Sequence, residues 1–334
     1  MAIPLFAVVA VGGGVVGIAT IDDSKEKMNR ANDINREAQR IADNSTKKRD
    51  RTRKATNDTL AELGKTKLSI MAGNILRFAE NFSRIKNVRL NDSVGLEELR
   101  DFNPASNDFL KMKDAGFKAS EVMQGGVGSI AAGTLTAAGA YGAVGALATA
   151  STGTAISALS GAAATNATLA WLGGGAIAVE GGGMALGTVV LGGLVVAPAL
   201  IVMGLFMGAK ADEALSKAKS QLDKARKYQQ DVANLCTVME AVSARAEQIN
   251  ELLLDLNEKF KPAVDRMIGL IYNRGDDWRY YSQYEKQTVG VAVQLAQTIK
   301  IVIDTSLLRE DGSLRDNETQ KALTAGQKTL DAID

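Results

Sequence analysis

A chain of 334 residues with 39 basic and 38 acidic side chains carries a formal net charge of +1, which gives no case for nucleic acid, because that partner needs a basic surface to neutralise its phosphates. Histidine, the commonest general base and metal ligand, is absent. The single cysteine, Cys236, cannot form an internal disulfide, which points to a reducing compartment. With four prolines and no alternating β-branched runs, the expected fold class is all-α.

Residues 1–21 form the first apolar element. Ile3 to Ile21 are uncharged and contain Gly12-x-Gly14-x-x-Gly17, the spacing of a dinucleotide-binding turn. That turn needs a second strand ending in Asp or Glu about twenty residues on, and the polar sequence after Asp22 contains none. No cofactor is therefore expected. The run also lacks a basic leading segment, so it does not read as a signal peptide. A short membrane-seeking or buried helix is the preferred reading, with Gly13-x-x-x-Gly17 permitting close helix contact.

Residues 22–121 read as a polar helical arm. Met28, Ala31, Ile34, Ala38 and Ile41 recur at three- and four-residue steps, and the stripe resumes at Leu60, Leu63, Leu68, Met71, Ile75, Phe78, Phe82 and Ile85. Between the two stretches lie Lys47, Lys48, Arg49, Arg51, Arg53 and Lys54. They are a candidate patch for anionic lipid headgroups; a solvated helix face is the blander reading, because nearby acids almost balance them. Asn91-Asp92-Ser93 reads as a helix N-cap, Pro104 ends the short helix it starts, and Asp108 to Met123 form an amphipathic lead into the next region.

Val122 to Ala209 is the most unusual stretch, with 88 residues, 20 of the 33 glycines and one formal charge, Glu180. It contains several uncharged lengths of 18 or more residues, enough for a helix to cross a bilayer. Its first part is mostly Gly, Ala, Ser and Thr. Met184 to Met207 holds 15 larger apolar residues in 24 and enters a bilayer more readily. Small residues recur every fourth position at Gly145, Thr149, Gly153, Ser157, Gly161 and Thr165, and again as Gly183-x-x-x-Gly187 and Gly204-x-x-x-Gly208. That spacing leaves one helix face bare enough for a second backbone to approach. Glu180 lies between the triplets Gly173–Gly175 and Gly181–Gly183, which suits a hairpin turn at a membrane surface.

From 210 to 262 a heptad takes over. Ala218, Ala225, Val232, Met239, Ala246, Leu253 and Phe260 repeat every seven residues, with Leu222, Leu235, Val242, Ile249 and Leu256 as the second apolar set. Lys261-Pro262 is expected to end or kink this helix. Residues 263–334 form a C-terminal helical region. Asp277 is a candidate cap, and Trp278, Tyr280, Tyr281 and Tyr284 suit an interfacial belt or a small core equally well. An amphipathic helix follows at Val289–Leu308, and another from Asp316. No catalytic motif is recognisable, so an enzyme is not expected.

The order of polar helices, apolar glycine-rich block and long heptad helix resembles the alpha-helical pore-forming toxins, in which long helices shelter an apolar hairpin. The Gly/Ala/Thr-rich stretch from Gly125 to Gly208 is also similar to apolipoprotein L and related glycine-zipper proteins. Both likenesses are of layout and composition, and no residue roles transfer from either. They imply long amphipathic or coiled-coil helices flanking a Gly/Ala-rich apolar helical hairpin block that inserts into a lipid bilayer and forms a homo-oligomeric pore. The expected location is a membrane, or the cytoplasm with conditional insertion. The alternative is a constitutive membrane scaffold that engages a protein partner through the heptad helix, and a third reading keeps the block as the core of a soluble bundle. If the helices on either side of the block pair antiparallel, the block crosses the membrane an even number of times.

Overall fold

Apolar side chains spaced seven residues apart meet along one side of a helix, and the two longest helices among the described residues are built on that spacing. The computed structural model describes residues 6–90, 102–130, 211–305, 307 and 314–333. Among them all regular structure is helical, and the protein is all-α. Helix α1 (Phe6–Ile70) passes through a π-helical turn (Met71–Ile75) into α2 (Leu76–Phe82). Then come α3 (Asn107–Ile130), α4 (Ala211–Arg274), a 3-10 turn (Trp278–Tyr280), α5 (Gln283–Asp304) and α6 (Asp316–Ile333).

Three boundaries differ from those the sequence suggests. Helix α1 runs through Ile21 and Asp22 without a break, so residues 6–21 do not form a helix of their own, and the Gly12 to Gly17 motif lies inside a helix rather than in a strand-to-helix turn. Helix α4 does not end at Pro262 but continues to Arg274. Pro262 is exposed, so the carbonyl it leaves without a helical donor is on the wet side. Beyond it, Ala263, Val264, Met267 and Ile271 are all buried, and their burial outweighs the proline's cost of roughly 3 kcal/mol. The helix expected at Val289–Leu308 begins earlier, at Gln283, and ends at Asp304, where Thr305 turns extended. The expected N-cap at Asn91 to Ser93 lies outside the described residues.

The chain forms two compact units, and neither is a continuous segment. One combines Met1–Arg53 with Gly193–Thr237, the other Lys54–Gly192 with Val238–Asp334. In the first, Ala31 packs with Ala214 and Ala218, and Ala38 with Leu222 and Ala225; Met28, Ile34, Ile41 and Leu215 border the seam. Alanine at these positions lets the two backbones run close but buries little apolar area per residue. Residue numbers rise together on both helices, so α1 and α4 run parallel. Thr46 and Tyr228 share a hydrogen bond of 3.0 Å, and Lys27 pairs with Asp212 at 3.0 Å and with Asp23 at 2.8 Å. Those two carboxylates hold the exposed Lys27 ammonium above its ordinary pKa.

In the second unit the direction is again parallel. Thr56 Oγ1 donates to the Met239 carbonyl at 3.2 Å, Asn74 Nδ2 donates to Asn257 Oδ1 at 2.9 Å, and Arg77 pairs with Asp265 at 2.7 Å. Helix α3 runs the opposite way. Lys113 reaches Ser83, while Gly116 packs on the π-helical turn, where a Cβ would lie 3.3 Å from the Leu76 Cα and from the Met71 carbonyl oxygen. The chain has thus already reversed before the glycine-rich block: α1 is parallel to α4, and α3 is antiparallel to it. The core here is aromatic. Phe78 stacks on Phe82 at 5.2 Å between ring centroids and meets Phe109 at 6.4 Å and Phe260 at 5.8 Å. Helix α5 buries Val289, Val293, Leu295, Ile299 and Val302; α6 meets it through a Thr298–Thr329 hydrogen bond of 3.0 Å.

Helix α5 starts with a capping box. Glu285 N–H donates to Ser282 Oγ at 3.3 Å, and Ser282 N–H donates to Glu285 Oε2 at 2.7 Å. Those bonds from Ser282, with a smaller contribution from Arg274, hold the Glu285 carboxyl below its usual range. Ser282→Ala is expected to cost about 1 kcal/mol, the typical loss for an N-cap, read as a lower urea midpoint.

Candidate membrane-contact surfaces

Gly145, Gly153, Gly161, Gly183, Gly187, Gly204, Gly208 and Glu180 lie outside the described residues. Among the described residues no helix is long and apolar enough to cross a membrane.

The basic cluster is described, and it is not one surface. Consecutive residues on a helix point about 100° apart, so a run of eight spreads around the whole circumference. Lys47, Lys48 and Arg51 face solvent. Arg49 is turned inward: its side chain is 14% exposed, pairs with Asp50 at 2.9 Å and donates to Tyr228 Oη at 3.3 Å. Arg53 leans 3.8 Å from the same Asp50, and Lys54, in the other unit, pairs with Asp58 at 2.5 Å. Lys47, Lys48, Arg51 and Lys54 stay exposed as the headgroup candidate, while Arg49 serves the packing of α1 on α4.

The aromatic cluster divides in a similar way. Trp278 and Tyr281 are buried, with ring centroids 6.0 Å apart. Tyr280 and Tyr284 are exposed by 79% and 77%, and Tyr272, in the last turn of α4, by 89%. The corner that carries them is held by backbone bonds to a distant loop. Lys86 N–H donates to the Asp276 carbonyl at 2.6 Å, and Trp278 N–H donates back to the Lys86 carbonyl at 3.1 Å, forming a parallel bridge between Lys86 and Asp277. Gly275, with φ of +88°, makes the turn possible. Tyr281 Oη donates to the Gly275 carbonyl at 2.6 Å, and Asp277 caps the 3-10 turn through Arg279 N–H. The Arg279 hydrogen bond holds the Asp277 carboxyl well below the usual carboxylate range.

One polar group went unnoticed in the sequence. Lys67 falls among Leu60, Leu63, Leu68 and Met71 and occupies a core position of the same stripe; its only sequence signal is that interruption. It is 3% exposed, and its ammonium donates to the Ile303 carbonyl at 2.9 Å, in the last turn of α5. Burial lowers its pKa to about 8, opposed in part by the Asp304 carboxylate.

No family model, curated protein or solved structure matches the chain. The class that the fold defines is an all-α protein built on two long parallel helices.

Proposed function

We propose that the protein inserts the Val122–Ala209 block into a lipid bilayer and permeabilises it, assembling with further copies through the small-residue faces at Gly145, Gly153, Gly161, Gly183, Gly187, Gly204 and Gly208. The observation that carries this reading is the sequence partition: 88 residues with one charge, set between helices that are polar on their outer faces.

Two features of the fold support it. In the second unit α3 and α4, the helices on either side of the block, run in opposite directions, which supports an even number of crossings over an odd one. The heptad seam of α4 is also already covered by the protein itself, since Ala218, Ala225, Val232, Met239, Ala246, Leu253 and Phe260 are all buried. A scaffold recruiting a partner through that seam would first have to displace those contacts, which favours the permeabilising reading over the scaffold.

Purified protein is expected to float with liposomes and release an enclosed dye. Leucine at Gly153, Gly161, Gly183 and Gly187 is expected to abolish release by blocking close helix approach. A scaffold would show binding without release in either form, and a protein that neither floats nor releases dye at any pH or lipid composition would sink the membrane reading.

A further inference from the structure

We propose that the corner between α4 and α5 is a second membrane contact, a rigid tip that seats Tyr272, Tyr280 and Tyr284 among anionic lipid headgroups. Its choice of partner rests on the membrane reading above; its geometry is independent of the block.

Exposed aromatic side chains on a loose loop would say little. These three stand on a pinned platform. The reciprocal backbone bonds between Lys86 and residues 276–278, the Tyr281 bond to Gly275, the buried Trp278 and the Ser282 capping box fix the corner from both sides. A surface already ordered before contact loses little conformational freedom on binding. Tyrosine combines an apolar ring with a polar tip, which suits the headgroup layer of a bilayer.

Charge points the same way. Residues 83–89 and 272–286 together contain six cations, Arg84, Lys86, Arg89, Arg274, Arg279 and Lys286, and three carboxylates, Asp276, Asp277 and Glu285. Each carboxylate is held by one cation: Lys86–Asp276 at 3.1 Å, Arg279–Asp277 at 2.6 Å and Arg274–Glu285 at 2.8 Å. The remainder is a surplus of three positive charges. Arg279 also lies 5.8 Å from the ring centroid of the exposed Tyr280, so cation and ring are presented together there. Aromatic rings with cations also suit single-stranded nucleic acid. The near-neutral charge of the chain and its apolar block favour lipid.

The test uses the full chain with Cys236→Ala and Tyr280→Cys, the new thiol carrying an environment-sensitive fluorophore. Vesicles of phosphatidylcholine with and without phosphatidylglycerol are added, and emission is read alongside co-sedimentation. The expected result is a blue shift with the anionic vesicles that weakens as salt is raised. Arg84→Gln and Lys286→Gln should each lower partitioning about fivefold, as expected for removing one cation near an anionic surface. Protein that sediments with vesicles while the label remains in water overturns the tip and leaves the block as the sole contact. A shift with a single-stranded oligonucleotide but not with vesicles also overturns it. Loss of both sedimentation and shift removes the membrane reading together with the tip.

Discussion

Replacing Phe78 with alanine is expected to destabilise the second unit by about 3–5 kcal/mol, the range for truncating a fully buried phenylalanine. Phe78 is at the centre of the aromatic core. It contacts Phe82 from its own helix, Phe109 from α3 and Phe260 from α4, so its loss opens a cavity shared by three helices. The side chains around it are themselves fully buried, including Ile75, Phe82 and Phe260, and cannot easily collapse into the space. Urea denaturation followed by circular dichroism measures the effect, and a loss below about 1 kcal/mol would show that α3 does not depend on this cluster. Among the described residues of the first unit, Ala31, Ala38, Ala42, Ala214, Ala218 and Ala225 supply about half of the buried positions and have one methyl group each to lose, so the second unit is expected to be the last to unfold.

The parts of this fold legible in the sequence are those that periodicity controls. The seven positions from Ala218 to Phe260 are all buried, because a heptad in one chain can be satisfied by the matching stripe of another helix. Periodicity does not carry direction. A stripe reads the same whether its partner runs with it or against it, so the parallel pairing of α1 with α4 follows only from particular pairs such as Lys27 with Asp212 and Thr46 with Tyr228. Nor does it register a local change of pitch. Met71 to Ile75 look like ordinary helix, and the π-helical turn lies where Gly116 of α3 packs closely on it, a contact between residues more than forty positions apart. Pro262 does not end α4, because the burial of Ala263, Val264, Met267 and Ile271 beyond it outweighs its local cost. The candidate surfaces show the same limit. Eight consecutive residues suggested one basic patch, and the helical turn placed Arg49 inside; four neighbouring aromatics suggested one belt or one core, and the tight corner divided them into both. Tyr272 was missed because it belongs to the corner in space but precedes the turn at Arg274-Gly275 in sequence.

Lys67 gives the protein a pH dependence that a single substitution should remove. In water a lysine titrates near 10.5; in the folded chain desolvation lowers the value to about 8, with Asp304 opposing the shift. Below pH 8 both folded and unfolded chains hold this proton, and the group contributes no slope. Between about 8 and 10.5 the unfolded chain keeps the proton and the folded chain releases it, so stability rises with pH through that window. The gain is on the order of 3 kcal/mol, since each unit of pKa difference is worth about 1.4 kcal/mol. Tyr281 acts in the opposite direction at higher pH. Burial, aided by Asp276, Glu285 and Asp277, pushes its pKa up from 10 to about 12, so the folded chain holds the extra proton and stability falls between those values. Thermal unfolding from pH 7 to 10 should therefore show a rising Tm in the natural chain and a flat one in Lys67→Met. Methionine keeps the length and apolar stem of the side chain but no longer donates to the Ile303 carbonyl, a loss of roughly 1–3 kcal/mol that offsets much of the relief from burying a charge. The two chains should therefore differ little in Tm at pH 7 and diverge as pH rises. An equal rise in both would show that the ammonium is hydrated in the folded chain and that the last turn of α5 does not close over it.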